Sequence, residues 1–457
     1  MRTHLRFRLI CAVTCVQLAF ASFSANGQTV TNVLNFNGTD GQLPYRTTPV
    51  QGRDGRLYGT TYYGGTSSAG TIWALNPFSS SASVFYNFDG VTAANPQSGL
   101  MLATDGNLYG TANSPQGNLL FRVTAAGALS ILHTFGKTDG CYAESPPIEA
   151  SDGNLYGTTL GCGRSTLYRL TRAGVFTTIQ TFVTATEGKD SFASPMQASD
   201  GDLWGTNGWG GTGQCGAVFK AALSGTVLRS LLMDCTNDRH PSSPLIEATN
   251  GNIYGTTSAG GAAHAGSVFM LDATRTISSV YEFLSGSDLA GPVNIIQATD
   301  GNLYGTALAA GTDRHGGIYK IDSSGKYSVI YDFTDTAPHL VDVNTGLMQH
   351  TNGQLYGASG QGGIYARGSV FTLDLGLGPF ITFVRATGKV GQTAQILGQG
   401  LMGASSVTFN GAPATSFVVA SDTYMTAVAP SGATTGKVVV TTPTGALTSN
   451  VNFRISQ

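Results

Sequence analysis

Apolar and polar residues alternate in short runs along most of this chain, and the runs come in sets of four. One set reads Pro244-Leu245-Ile246-Glu247-Ala248, Ile253-Tyr254-Gly255-Thr256, Val268-Phe269-Met270-Leu271 and Val280-Tyr281-Glu282-Phe283. A period of two over four to eight residues, bounded by Gly, Asn, Asp and Ser, predicts strands. The first two runs of a set are separated by Asp-Gly or Asn-Gly, the pairs that tight hairpins favour because their central residues take positive φ. A glycine-rich loop such as Gly64-Gly65, Gly210-Gly211 or Gly260-Gly261 separates the second run from the third. Each set therefore predicts a four-stranded antiparallel meander.

The sets repeat. Near-copies of Asp-Gly-Asn-Leu-Tyr-Gly-Thr begin at Asp54, Asp105, Asp152, Asp200, Asn250, Asp300 and Asn352, spaced by 51, 47, 48, 50, 50 and 52 residues. Strand-rich repeats of this length form propellers or solenoids, where neighbours bury the faces that one repeat cannot bury alone. The ends of the array choose between them. Residues 29–36 match a fourth strand, whereas the last repeat stops after its third strand at Val370-Phe371-Thr372-Leu373. The N-terminal strand can thus complete the last sheet. The expected fold is all-β: a seven-bladed propeller over 28–377, closed by the N-terminal strand so that no edge stays open.

Three residues before each turn Asp or Asn stand Gln51, Leu102, Glu149, Gln197, Glu247, Gln297 and Gln349. A ring of six Gln and Glu side chains has two readings. One is a polar channel for a cation or small polar ligand. The other, favoured because buried polar groups need partners, is hydrogen bonding to neighbouring repeats. The turn Asp is read as a cap on its own turn, since no repeat has the spacing of a calcium loop.

The repeat core, the Gly-Gly loop, the Val-Phe strand and the closing aromatic resemble the GloVer (Gloeobacter–Verrucomicrobia) repeats of exported bacterial proteins. The core is also similar to two-component-regulator propeller repeats and, more loosely, to the Asp-box of sialidases. These likenesses imply a propeller and transfer no activity. After Gly378 the period is lost. Ser406-Val407-Thr408-Phe409-Asn410-Gly411 and Gly436-Lys437-Val438-Val439-Val440-Thr441 fall in a stretch, 378–457, that resembles an IPT/TIG immunoglobulin-like domain. Short alternating strands between Gly and Pro turns predict a small β-sandwich there on their own account. In secreted proteins such a domain implies a spacer or interaction module.

Composition adds compartment. Arg2, Arg6 and Arg8 followed by apolar Leu9–Phe20 read as a signal peptide over 1–27, with small residues for cleavage at 19–21 and 23–25. Export, periplasmic or extracellular, is expected, with no integral membrane segment in the mature chain. Charged residues are only 11% and the formal net charge is −2, which argues against a nucleic-acid partner. Four cysteines remain outside the leader. Cys141–Cys162 and Cys215–Cys235 are the expected disulfides, since each pair joins loops on one face of the repeat array.

No catalytic constellation is visible. There is no G-x-S-x-G elbow, and His133, His240, His264, His315, His339 and His350 are scattered. No metal site and no cofactor are expected. Asp139, Glu144, Glu187, Asp190, Asp234 and Asp238 lie in loops after fourth strands, where a pair of carboxylates would serve glycan cleavage. Trp209, Tyr62, Tyr63 and Tyr365 lie in the Gly-Gly loops, where exposed rings can stack on sugars. The expected function is non-enzymatic binding or scaffolding, with a glycan or a cell-envelope component as partner. The alternatives are a carbohydrate-active hydrolase or lyase and a protein-binding adhesion factor.

Overall fold

The computed structural model describes residues 28–456 apart from 285, 287 and 336–339. The expected leader, 1–27, and His339 lie outside the described residues. Strands dominate, and the repeats give consecutive antiparallel sheets. The second repeat is typical: Met101–Leu102, Leu108–Ser114, Gly117–Val123 and Leu129–Thr134 pair in chain order. The fifth repeat carries an extra short strand, Arg239–Pro241, beside its second strand. The seventh holds Met348–Gln349, Leu355–Ser359 and Ser369–Asp374, and its outer strand is Thr29–Asn35 from the N-terminus, with Thr29 opposite Asp374. A single helical turn, Thr184–Glu187, interrupts the pattern in a loop.

Most letters of the repeated phrase have a structural cause visible in the fold. In the second repeat Asp105 caps its own turn, accepting from the Asn107 backbone N–H at 3.0 Å and from the Asn107 side chain at 2.8 Å. Gly106 sits at φ 85°, a conformation that costs glycine little. Four residues on, the Tyr109 hydroxyl donates to the second Asp105 oxygen at 2.7 Å. Burial and that contact push the Tyr109 pKa up to about 12, so the hydroxyl stays a donor. The next glycine makes room for an aromatic ring of the neighbouring strand in the same sheet. Gly59 lies opposite Trp73 and Gly205 opposite Phe219, and a Cβ there would sit 2.3 Å and 2.4 Å from those rings. The final Thr reaches forward: Thr158 donates to the Ala193 carbonyl and Thr306 to the Thr345 carbonyl, both at 2.8 Å, each in the following repeat.

The Gln and Glu positions reach backward. Glu149 accepts from the Thr104 N–H at 2.7 Å, Gln197 from Ser151 at 2.8 Å, Glu247 from Ser199 at 2.7 Å, Gln297 from Thr249 at 2.8 Å and Gln349 from Thr299 at 3.0 Å. Gln51 of the first repeat accepts from Thr351 of the last at 3.1 Å and donates to its hydroxyl at 2.8 Å. The hydrogen-bonding reading of this ring is therefore correct. Leu102 cannot make the contact, and in that gap Arg53 bonds the Thr104 carbonyl at 2.7 Å instead.

Apolar clusters lie between consecutive sheets. Tyr156 and Leu167 of the third repeat pack with Leu203 and Phe219 of the fourth, and the pattern continues to Tyr356 and Val370 of the seventh, which pack with Leu57 and Trp73 of the first. The second strands are buried along their length for this reason: they are covered on both faces.

Beyond the repeats, residues 379–456 form two further four-stranded sheets around their own core, including Ile396, Phe409, Met425 and Val438. This segment leans on the repeats through arginines. Arg385 pairs with Glu149 at 3.2 Å, and Arg454 donates to the Gln197 carbonyl at 3.0 Å and lies 3.6 Å from Glu247. Cys141 is bonded to Cys162 and Cys215 to Cys235, the expected pairs, with Cα separations of 5.7 Å and 5.3 Å.

Candidate functional site

Residues just before and within the first strands of the seven repeats line a cavity of about 880 Å³. Its floor is apolar, built from side chains such as Val50, Leu100, Pro146, Ile246, Ile296 and Leu347. A smaller space of about 400 Å³ continues on the far side of the innermost strands, and there Thr382, Phe383, Val384 and Leu397 of the C-terminal segment form part of the wall.

The rim of the large cavity is where the repeats stop being copies. Five residues before each Gln/Glu/Leu position stand Arg46, Gln97, Glu144, Phe192, Ser242, Pro292 and Asn344, and every one lines this cavity or the one beside it. Seven equivalent places hold seven residue types.

Arg46 crosses the opening. Its guanidinium pairs with Glu144 of the third repeat and lies 5.3 Å from the Tyr45 ring and 5.9 Å from the Phe192 ring of the fourth. The adjoining cavity, about 360 Å³, shares Tyr45, Arg46 and Glu144 with the first and adds Tyr62, Tyr63 and Gln97. Tyr62 and Tyr63 meet edge to face at 4.6 Å. Across the large cavity, Trp209 is 43% exposed and its ring lies 3.9 Å from that of His240. The loop holding Trp209 is pinned by reciprocal backbone bonds with Lys189 at 2.7 Å and 3.0 Å. His240 Nδ1 lies 2.8 Å from the Gly208 carbonyl, which can only accept, so Nδ1 is the donor in this contact. His240 also donates its backbone N–H to the Cys215 carbonyl at 2.8 Å, which ties the platform to the second disulfide. Asp342, from the seventh repeat, lines the cavity, and burial pushes its pKa up.

Three of the four aromatic residues singled out in the sequence thus lie at the two cavities: Trp209, Tyr62 and Tyr63. Tyr365 is 54% exposed and lines neither. Tyr63 and Trp209 immediately precede their Gly-Gly pairs, whereas Tyr365 follows Gly362-Gly363 and so stands outside the rim. Of the loop acids, Glu144 lines the cavity. Asp139 instead bonds His133 and the Gly136 N–H, Glu187 the Val183 N–H, Asp234 the N–H groups of 236–238, and Asp238 the Ser267 hydroxyl. Among the described residues no group of His, Cys, Asp and Glu could hold a metal ion, and His315 bonds Asp335 at 2.7 Å. Sequence reasoning missed Arg46, His240 and Asp342 as lining residues; counting back from the Gln/Glu ring would have found Arg46.

A family model described as the Gloeobacter/Verrucomicrobia repeat matches residues 19–163, 114–296 and 241–411, which together cover most of the chain. This chain belongs to that repeat family. No curated protein matches it. Among solved structures, virginiamycin B lyase from Staphylococcus aureus is similar with a TM-score of 0.53 at 14% identity, covering 76% of this chain and 99% of the lyase. An extracellular domain described as part of a hybrid two-component system of B. thetaiotaomicron gives a TM-score of 0.51 at 14% identity, covering 90% of this chain and 52% of the other. At this identity the likenesses show the fold alone: a Gloeobacter/Verrucomicrobia repeat protein with propeller-like neighbours.

Proposed function

We propose that this repeat protein is an exported, non-enzymatic glycan-binding protein whose site is the rim cavity around Trp209, His240 and Arg46. In this reading the repeats form a seven-bladed propeller closed by the N-terminal strand, and 378–457 is an IPT/TIG-type immunoglobulin-like module that blocks the far end of the axial channel. The clasp from Gln51 to Thr351 and the packing of Tyr356 against Leu57 support closure. The residues before 28 act as the export leader, in keeping with two disulfides.

The observation that carries the reading is the divergence at the rim. Positions that build sheets are near-identical from repeat to repeat, while the seven rim positions all differ. Packing alone gives no reason for that pattern; an asymmetric ligand does. The cavity volume is within the range of about 300–1,000 Å³ usual for small-ligand sites, with an apolar floor and a few polar groups at the edge. Exposed rings beside amides and carboxylates suit sugar faces and hydroxyls.

A glycan array probed with the mature protein, Gln28 onward, and with Trp209→Ala tests this. Binding by the parent and its loss in the variant is the expected result; equal binding by both would move the site elsewhere. Glycan cleavage is the second reading, because two carboxylates, Glu144 and Asp342, line the same cavity. It predicts new reducing ends during incubation, released by the parent and not by Asp342→Asn.

A further inference from the structure

Resting on the glycan reading above, we infer that the site takes a neutral oligosaccharide of at least two units, laid across the Arg46–Glu144 pair from the Trp209 chamber into the Tyr62–Tyr63 chamber. The two cavities share Tyr45, Arg46 and Glu144 as a common wall, so they are two compartments of one cleft. Each has its own aromatic platform: Trp209 with His240 in one, Tyr62 with Tyr63 in the other. A single sugar ring can stack on only one of them. The bar between them is soft. The Arg46 side chain is 39% exposed and that of Glu144 21% exposed, a setting in which ion pairs hold weakly and can re-form around a ligand.

The pair also sets the ligand class. A guanidinium donates and a carboxylate accepts, so adjacent hydroxyls of one sugar can bond both while the local charge stays balanced. An acidic sugar would meet the Glu144 carboxylate, and Asp342 lines the same cavity. Arg46 and Glu144 are therefore assigned as specificity-determining residues, and Tyr62 and Tyr63 as the second subsite.

Calorimetric titration of the mature full chain with neutral oligomers of glucose, xylose and N-acetylglucosamine, one to six units long, tests the inference. Affinity should rise about tenfold or more from one unit to three and then level off. Tyr63→Ala should weaken trimers by about 3–10-fold, the range for one aromatic contact, and leave monomers within about twofold. Arg46→Ala should likewise remove most of the length gain, and Arg46→Lys stands in if Arg46→Ala folds poorly. Trp209→Ala should weaken every length. Length-independent affinity, or a Tyr63→Ala variant that binds trimers as the parent does, would overturn the two-chamber inference and leave the Trp209 site standing. Tighter binding of uronic-acid oligomers would overturn the neutral class. No binding at any length would overturn the glycan reading itself.

Discussion

Replacing Gln51 with Leu tests how the last repeat is locked to the first. Gln51 is 4% exposed and Thr351 is fully buried. Their two hydrogen bonds, 2.8 Å and 3.1 Å, join positions 300 residues apart in sequence. Leucine fits this place sterically, because Leu102 occupies the equivalent position in the second repeat. The cost is then mainly polar. Each bond contributes about 1 kcal/mol net, and a Thr351 N–H left buried without a partner costs about 1–3 kcal/mol. The Thr351 hydroxyl keeps its donor Gln399 at 2.8 Å, which limits the loss. The sum is about 2–4 kcal/mol. The control is Gln349→Leu, where the Thr299 partner is exposed and water can replace the amide, so about 1 kcal/mol is expected. Thermal unfolding followed by circular dichroism should show Gln51→Leu with the clearly lower midpoint. Equal midpoints for the two variants would refute the idea that this clasp secures closure.

Three further outcomes follow from the packing and the titrating groups. Gly205→Ala should destabilise by about 1–3 kcal/mol, since its Cβ would meet Phe219 in a filled core, and a midpoint equal to the parent in a melt would contradict the account of the repeat glycine. Replacing both Cys215 and Cys235 by Ser opens a loop of 20 residues, for which chain entropy predicts about 3 kcal/mol. Ligand affinity should fall with it, because Cys215 holds the His240 backbone; unchanged affinity would uncouple disulfide and site. Asp238 has its pKa raised to about 6 by burial, with Asp234 and Glu282 adding repulsion. A raised folded pKa means the folded state holds the proton more tightly, so this group's contribution to stability falls as pH rises from about 4 to 6. Asp238→Asn should therefore gain stability relative to the parent at pH 7 compared with pH 4, and melts at the two pH values showing no such difference would count against it.

Much of the fold was legible because each repeat solves the same packing problem. The Asp-Gly or Asn-Gly turn recurs at a fixed offset in all seven copies and the Gln/Glu position in six, so the copies reinforce one reading. Both disulfides followed from the same register. The site was less legible for the opposite reason. Arg46, Glu144 and Phe192 share no residue type, and they meet because the repeats face one cavity. Tyr365 looked equivalent to Tyr63 by its closeness to a Gly-Gly pair, yet its place after the glycines puts it outside the rim. The loop acids illustrate the same limit: Asp139, Glu187 and Asp234 bond loop N–H groups, a local role that residue type alone does not separate from a ligand-facing one.

The most direct test of the binding account is a crystal structure of residues 28–457 with the strongest neutral oligosaccharide from the array. The account predicts sugar density in the rim cavity, with one ring stacked on Trp209 and the chain passing Arg46 toward Tyr63. Density confined to the outer strands or to the C-terminal segment, with the rim cavity holding only solvent, would contradict it.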